Sequence, residues 1–127
     1  MSGYYINHMV YADLVRFNPW WNNAKAIEGD ADILRFNEQE IKYYPEFEVG
    51  EGIFVLRGPR QVGKTTLAKL KIRELLAEKN PRNVFYYSLD LLKNPKEIHD
   101  VILAYLEEVA GEGKRFLFLD EATGIPQ

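Results

Sequence analysis

The pattern of apolar and polar positions predicts strands and helices in alternation along the chain. Continuous apolar runs at 53–56 and 116–119 are typical of strands covered on both faces. The stretch 83–90 is rich in aromatic residues and predicts a further strand. Apolar residues recur at helical spacing over 65–79 and from 98 to 109. This order predicts an α/β fold, a parallel β-sheet flanked by helices.

The first fifty residues give a weaker pattern. Residues 9–17 predict a short helix that ends at Asn18, because the residue before a proline avoids helical angles. A second, weakly amphipathic helix would carry Ile33, Phe36 and Ile41. The aromatic side chains here would form a docking surface for a protein partner or a second copy, a wall that stacks on adenine, or a segment packed onto the sheet edge. The last is the commoner use of large aromatics; the residues are Trp20, Trp21, Phe36, Tyr43, Tyr44 and Phe47.

A phosphate-binding loop follows the first predicted strand. Residues 58–65 match the pattern G-x-x-x-x-G-K-[ST] at every position, between a strand and a helix. The glycines allow the backbone N–H groups to surround an anion, beside the positive end of the helix dipole. Lys64 would reach the β- and γ-phosphates of ATP, and the Thr65 hydroxyl would bind Mg²⁺. The candidate nucleotide-binding residues are Gly58, Pro59, Arg60, Gln61, Val62, Gly63, Lys64, Thr65 and Thr66.

An acidic pair ends the last predicted strand. Asp120 and Glu121 follow an apolar run directly, which is the Walker B pattern. Because carboxyl ends of parallel strands meet at one edge of a sheet, the pair is expected beside the loop. Asp120 would hold the Mg²⁺ ion with Thr65, and Glu121 would act as the catalytic general base, with Lys64 as the second catalytic residue.

Other positions leave alternatives open. Asp90, at the end of the second strand, would contact the metal's water shell, help to orient a nucleophile, or cap the following turn, and the cap is the commoner use. A GTPase switch motif would need glycine three residues after Asp120, where Thr123 stands. The helix after the loop is expected to bury Leu67, Leu70, Leu75 and Leu76, with Ile72 alongside, and to expose Lys69, Lys71, Arg73, Glu74 and Glu78.

Composition narrows the class of protein. The chain has 127 residues, enough for one domain, and a net charge of −3, so no basic field indicates nucleic acid. It has no cysteine, and its two histidines make a histidine metal site unconvincing. No apolar run is long enough to span a membrane. A cytoplasmic protein with no membrane partner is the simplest expectation.

Four stretches together resemble the uncharacterised, mostly archaeal AAA-type ATPases. They are 18–21 (Asn-Pro-Trp-Trp), 56–66 around the loop, 85–90, and 118–121 with the Asp-Glu pair. The resemblance implies a P-loop NTPase fold, of which this chain would be the N-terminal half of the core. It also implies further strands, a sensor residue and a C-terminal domain beyond Gln127, with the sensor strand lying between the loop strand and the Asp-Glu strand. We therefore expect a portion of a longer ATPase, and unprotected sheet flanks.

The sequence thus predicts a lead segment, 1–50, and a partial ATPase core, 51–127. The expected function is Mg²⁺-dependent hydrolysis of ATP. The alternative is a nucleotide-dependent switch that binds ATP, hydrolyses little, and reports to a partner through the lead segment. An arginine finger would separate them, but the sequence assigns that role to none of Arg57, Arg60, Arg73, Arg82 and Arg115.

Overall fold

The structure, a computed structural model, describes residues 8–39, 50–57, 63–91 and 95–121. Its helices are α1 (His8–Phe17), α2 (Ala31–Asn37), α3 (Lys64–Leu76) and α4 (Pro95–Glu108). Its strands are β1 (Gly52–Arg57), β2 (Val84–Ser88) and β3 (Phe116–Glu121). Short 3₁₀ turns occupy 19–21, 24–29, 81–83 and 89–91. Every predicted helix and strand in the described part of the chain is therefore confirmed, with shifts at the ends.

The three strands form one parallel sheet in the order β1-β3-β2. The parallel sheet is as predicted. The expectation that another strand separates the loop strand from the Asp-Glu strand is wrong. β1 and β3 are hydrogen-bonded neighbours from the pair Gly52–Phe116 to the pair Arg57–Glu121. Both are apolar runs whose backbone groups need partners when buried, and in the described residues each strand supplies them to the other.

Both faces of the sheet are covered at β2 and β3. The predicted burial of the run 53–56 on both faces is wrong, because Ile53 and Val55 of β1 are exposed, at 53% and 47%. Phe85 of β2 stacks on Tyr105 of α4, with ring centroids 4.5 Å apart. Its neighbour Tyr86 lies under the ammonium group of Lys69 in α3. Because consecutive residues of a strand point to opposite faces, α3 and α4 pack on opposite sides of the sheet. This arrangement explains the unbroken apolar run of β3, where Phe116 to Leu119 are all buried.

The free edge of β2 is occupied by the segment that follows α1. Asn18 is fully buried, and its side-chain amide both accepts from the Tyr86 N–H, at 2.6 Å, and donates to the Tyr86 carbonyl, at 2.9 Å. The indole N–H groups of Trp20 and Trp21 each donate to the Val84 carbonyl at 2.9 Å. Side chains thus replace a neighbouring strand, so the edge offers no backbone groups there for pairing.

Packing onto the sheet edge is therefore confirmed for the two tryptophans. Trp21 also stacks on Tyr105, at 5.6 Å between ring centroids. Phe36 of α2 is buried in the same core. The remaining aromatics of the lead segment lie outside the described residues, as does Ile41; they are Tyr43, Tyr44 and Phe47.

The predicted solvent face of α3 is wrong at two lysines. The Lys69 side chain is 17% exposed and pairs with both Asp30 and Asp32, at 2.9 and 2.8 Å. The Lys71 side chain is 9% exposed, and its ammonium reaches Glu74. For Lys69 the cause is the lead segment, which packs on α3 from a direction that the sequence pattern did not reveal.

The same packing shifts the buried stripe of α3. Ala68, Leu70 and Ile72 are the buried apolar residues, while Leu67, Leu75 and Leu76 are half-buried. A helix contacted by the sheet and by α2 buries a wider stripe than one lying only on a sheet.

Two helices end earlier than their patterns predict. α3 ends at Leu76 instead of Lys79, and α4 ends at Glu108, one residue before its apolar pattern ends at Val109. The N–H of Gly111 donates to the side chain of Asn83, and a Cβ at Gly111 would lie 2.6 Å from the Asn80 amide nitrogen. The glycine therefore permits a close approach between two loops. Among the described residues, no helix has the length and apolar character needed to cross a membrane.

Candidate functional site

The elements bring the two ends of the predicted loop and the Asp-Glu pair to one edge of the sheet. β1 ends at Arg57, α3 begins at Lys64, and β3, which ends in the acidic pair, lies directly beside β1. Gly63, immediately before α3, has φ of 78°, in the left-handed region that glycine adopts without strain. The loop residues 58–62 lie outside the described residues, so the roles predicted for Gly58, Pro59, Arg60, Gln61 and Val62 stay predictions.

Asp120 is the centre of the site. It is 1% exposed. The Lys64 ammonium donates to its Oδ1 at 2.6 Å, and the Thr65 hydroxyl donates to its Oδ2 at 2.6 Å. The structure thus brings together three of the predicted site residues, from two elements more than fifty positions apart in the chain.

A third partner of Asp120 was missed from the sequence. The Tyr86 hydroxyl, from β2, donates to Oδ2 at 2.5 Å. Tyr86 lies opposite Phe118 in the register of β2 with β3, two residues before Asp120 and on the same face. The sequence shows a tyrosine in a strand, but the register that directs it to Asp120 depends on the sheet. We call Asp120 with Lys64, Thr65 and Tyr86 the Asp120 cluster.

The cluster keeps Asp120 ionised. Burial alone would raise the pKa of the carboxyl group, but the hydrogen bonds from Lys64, Thr65 and Tyr86 outweigh it, so the pKa lies below its ordinary value. Burial, together with the hydrogen bond to the Asp120 carboxylate, raises the pKa of Tyr86. Tyr86 is therefore a neutral hydroxyl donor beside a charged acceptor, which is the stronger class of hydrogen bond.

The other predicted site residues occupy distinct positions. Glu121 is the last residue of β3 and is exposed, and strand alternation directs it to the face opposite Asp120. Thr66 is half-buried in the first turn of α3. Asp90 is half-buried in the 3₁₀ turn that follows β2, so it lies at the carboxyl edge of the sheet, as predicted.

The oxygen atoms of Thr65 and Asp120 fit Mg²⁺. This hard cation takes oxygen ligands, and it commonly uses one or two protein groups plus waters and substrate phosphates. Within the part of the chain that the structure describes, no group of three or more histidine, cysteine, aspartate or glutamate side chains could hold a metal. A site that relies on phosphate oxygens and water, with Thr65 and Asp120 contributing, agrees with both observations.

A cavity of about 230 Å³ lies on the other side of Tyr86, between the lead segment and α3. Its lining includes Arg16, Trp20, Asp30 and Lys69. Lys69 pairs there with Asp30 and Asp32, and its ammonium lies 5.6 Å from the centroid of the Tyr86 ring. Tyr86 therefore borders this cavity with its ring and Asp120 with its hydroxyl.

Comparison with known proteins shows the family of the chain. The chain is 32% identical over 126 residues to the uncharacterised protein MJ1637 of Methanocaldococcus jannaschii. That alignment covers 95% of this chain and 25% of the relative, so the chain spans about a quarter of the length of this curated protein. No solved structure matches the chain significantly. Residues 50–127, more than half of the chain, match the family described as AAA domain, a class of nucleotide-binding P-loop modules related to ATPases. The chain belongs to the AAA domain family.

Proposed function

We propose that this chain is the ATP-binding domain of a Mg²⁺-dependent ATPase that hydrolyses ATP to ADP and phosphate. The proposal rests on one observation: at one edge of the sheet, Lys64 and Thr65 each donate a hydrogen bond of 2.6 Å to the carboxylate of Asp120. In this proposal residues 51–127 form the catalytic core, and residues 1–50 form a lead segment packed against it. We propose the same ATPase activity for any longer protein that contains the chain.

Lys64 and Thr65 would change partners when nucleotide binds. In the structure Lys64 neutralises Asp120, so the buried carboxylate does not carry an unpaired charge. The triphosphate offers Lys64 a stronger partner, since a phosphate group carries more charge than one carboxylate. Bound Mg²⁺ would neutralise charge on the β- and γ-phosphates. Lys64 would then stabilise the charge of the transferred phosphoryl group, while Thr65 and Asp120 would orient the metal.

Glu121 is proposed as the general base that polarises the attacking water. Its place beside Asp120, at the carboxyl end of β3, and its exposure to solvent are what this role requires. A carboxylate can accept the proton of a water that attacks the γ-phosphorus in line with the leaving oxygen.

Binding tests the first half of the proposal. We expect saturable binding of Mg²⁺-ATP to the wild-type chain and a loss of at least about a hundredfold in affinity in Lys64→Ala, because a charge-assisted contact to phosphate is removed. The exposed Lys25→Ala is the control and should bind as wild type. Calorimetric titration gives all three affinities. Equal affinities of Lys64→Ala and wild type for Mg²⁺-ATP would show that the phosphate loop does not bind the nucleotide.

Turnover tests the second half. Glu121→Gln should lower phosphate release by about a hundredfold or more while ATP affinity stays within about threefold of wild type, since general-base catalysis contributes about 10²–10⁴. The exposed Glu112→Gln is the matched control. Phosphate release by Glu121→Gln at the wild-type rate would exclude Glu121 as the base.

The contacts of Tyr86 favour a second candidate function, a nucleotide-dependent switch with little hydrolysis. Tyr86 is bonded through its backbone to Asn18 of the lead segment and through its hydroxyl to Asp120. A change at Asp120 would therefore reach the lead segment through one residue. Steady-state turnover separates the two candidates, because a switch of this kind would bind Mg²⁺-ATP with the same residues and release almost no phosphate.

A further inference from the structure

Tyr86 differs from the other partners of Asp120 in one respect. In the proposed ATPase, Lys64 would contact the phosphates and Thr65 would hold the metal, so both would leave the carboxylate. Tyr86 comes from β2, outside the loop and outside α3. Its hydroxyl is therefore the contact of the Asp120 cluster that can persist through the exchange.

The position of Tyr86 is fixed from three directions. The buried amide of Asn18 holds both its backbone N–H and its carbonyl. Parallel pairing with β3 sets its register two residues before Asp120. On the lead-segment side, the Lys69 ammonium lies 5.6 Å from its ring centroid, and Lys69 is itself held by Asp30 and Asp32. Because the tyrosine is held in this way, its hydroxyl can donate to Oδ2 of Asp120 from one direction only.

We propose that Tyr86 is a positioning residue that holds the Asp120 carboxylate in the orientation that Mg²⁺-ATP requires, through a hydrogen bond that remains when Lys64 and Thr65 leave. This inference rests on the proposed function and deepens it. With Oδ2 held by Tyr86, the departure of Lys64 frees Oδ1 for the metal or its water. Without Tyr86, the carboxylate would have to be ordered at the moment of binding, and Mg²⁺ would bind more weakly.

The test separates metal-dependent from metal-free nucleotide binding. ATP binding to the 127-residue chain is measured against Mg²⁺ concentration, and again in EDTA, for wild type, Tyr86→Phe and Tyr105→Phe. We expect Tyr86→Phe to raise the Mg²⁺ concentration for half-maximal binding by about tenfold, the lower range for losing a hydrogen bond to a charged group. ATP affinity in EDTA should stay within about twofold of wild type.

Tyr105→Phe is the matched control. Tyr105 is fully buried like Tyr86, and its hydroxyl donates to the Arg82 carbonyl at 2.6 Å, away from Asp120. The control should leave the Mg²⁺ midpoint unchanged. A purely structural role of Tyr86 would lower metal-free binding as much as metal-dependent binding, or would act equally in both variants.

The outcomes are distinct. An unchanged Mg²⁺ midpoint in Tyr86→Phe, beside a Mg²⁺-dependent wild type, overturns the inference and leaves the proposed ATPase standing. Absence of ATP binding in wild type, with and without Mg²⁺, overturns the proposed function and this inference with it.

A second measurement needs no variant, should Tyr86→Phe not fold. A phenol hydroxyl bonded to a buried carboxylate exchanges slowly with water, so its proton can be observed by NMR in wild type carrying ¹³C at tyrosine Cζ. We expect the Tyr86 proton to persist when Mg²⁺-ATP is added. Its disappearance in the bound state, with the remainder of the spectrum folded, would overturn the inference.

Discussion

Two lysines of α3 pair with aspartates, and the comparison of the two pairs separates function from architecture. Lys64 pairs with Asp120 at the carboxyl edge of the sheet. Lys69, five residues later, pairs with Asp30 and Asp32 at the start of α2. We call this second group the Lys69 cluster. Both lysines are largely buried, so burial and charge alone do not distinguish them.

The partners distinguish them. Asp120 lies beside Lys64, the residue that follows the predicted phosphate loop, so in the proposed function a nucleotide would replace it as the partner of Lys64. Asp30 has a structural task, because its Oδ2 accepts hydrogen bonds from the N–H groups of Asp32 and Ile33 and so caps α2. Lys69 thus joins the lead segment to α3, and no ligand is needed to complete its contacts. In the proposed function, the lysine–aspartate pair of Lys64 would exchange its carboxylate for a nucleotide, whereas the pairs of Lys69 attach the lead segment to α3.

The strongest way to break the architectural side is to remove Asn18. Asn18→Ala should lower the free energy of unfolding by about 3 kcal/mol, because the Tyr86 N–H and carbonyl lose their partner in a buried place. Urea unfolding measures the change. The exposed Asn22→Ala in the same segment should change stability by less than about 0.5 kcal/mol. Equal effects of the two substitutions would mean that the edge contact of Asn18 contributes no stability.

Removing Lys69 should weaken the contact between the lead segment and α3 without changing the binding of ATP. Lys69→Met keeps most of the side-chain volume but leaves two partly buried carboxylates facing each other, and we expect a loss of about 2 kcal/mol in stability. ATP affinity should remain within about twofold of wild type, in contrast to Lys64→Ala. Urea unfolding and calorimetry measure the two quantities. A large loss of ATP binding in Lys69→Met would show that the two clusters are not separate.

Alkaline pH should weaken the Lys69 cluster selectively. Burial lowers the pKa of Lys69, but its bonds to Asp32 and Asp30 outweigh burial and raise the pKa above the ordinary 10.5. A raised pKa stabilises the fold below the unfolded-state value and loses that contribution as pH rises through the folded-state value. Unfolding free energies at increasing pH above 10.5 should therefore fall more steeply for wild type than for Lys69→Met. Parallel curves would contradict the ion pairing.

Acidic pH should weaken the Asp120 cluster by the opposite sign. Because the pKa of Asp120 is lowered in the folded state, its contribution is present above the unfolded-state pKa, near 3.9, and is lost as pH falls through the folded-state value. Wild type should therefore lose stability more steeply than Asp120→Asn below about pH 4. Circular dichroism during acid titration measures both slopes, and identical slopes would show that Asp120 gains no net stabilisation from its partners.

Some features of this protein follow from its sequence because they depend on neighbours along the chain. The loop pattern at 58–65, the apolar runs of β1 and β3, and the end of α1 before Pro19 are local, and the strands and helices that they predict are present. The acidic pair after an apolar strand is equally local, and it predicts the position of Asp120 beside Lys64 and Thr65.

Other features were decided by the tertiary structure. Strand order is one, since β1 and β3 pair directly although nothing local requires it. The solvent face of α3 is another, because Lys69 is covered by the lead segment, which is distant in the chain. Tyr86 is the clearest case. It lies thirty-four residues from Asp120 in the chain, and its hydroxyl reaches the carboxylate only through the register of β2 with β3. Sequence patterns specify which residues have the chemistry for a site, whereas register and packing specify which of them meet.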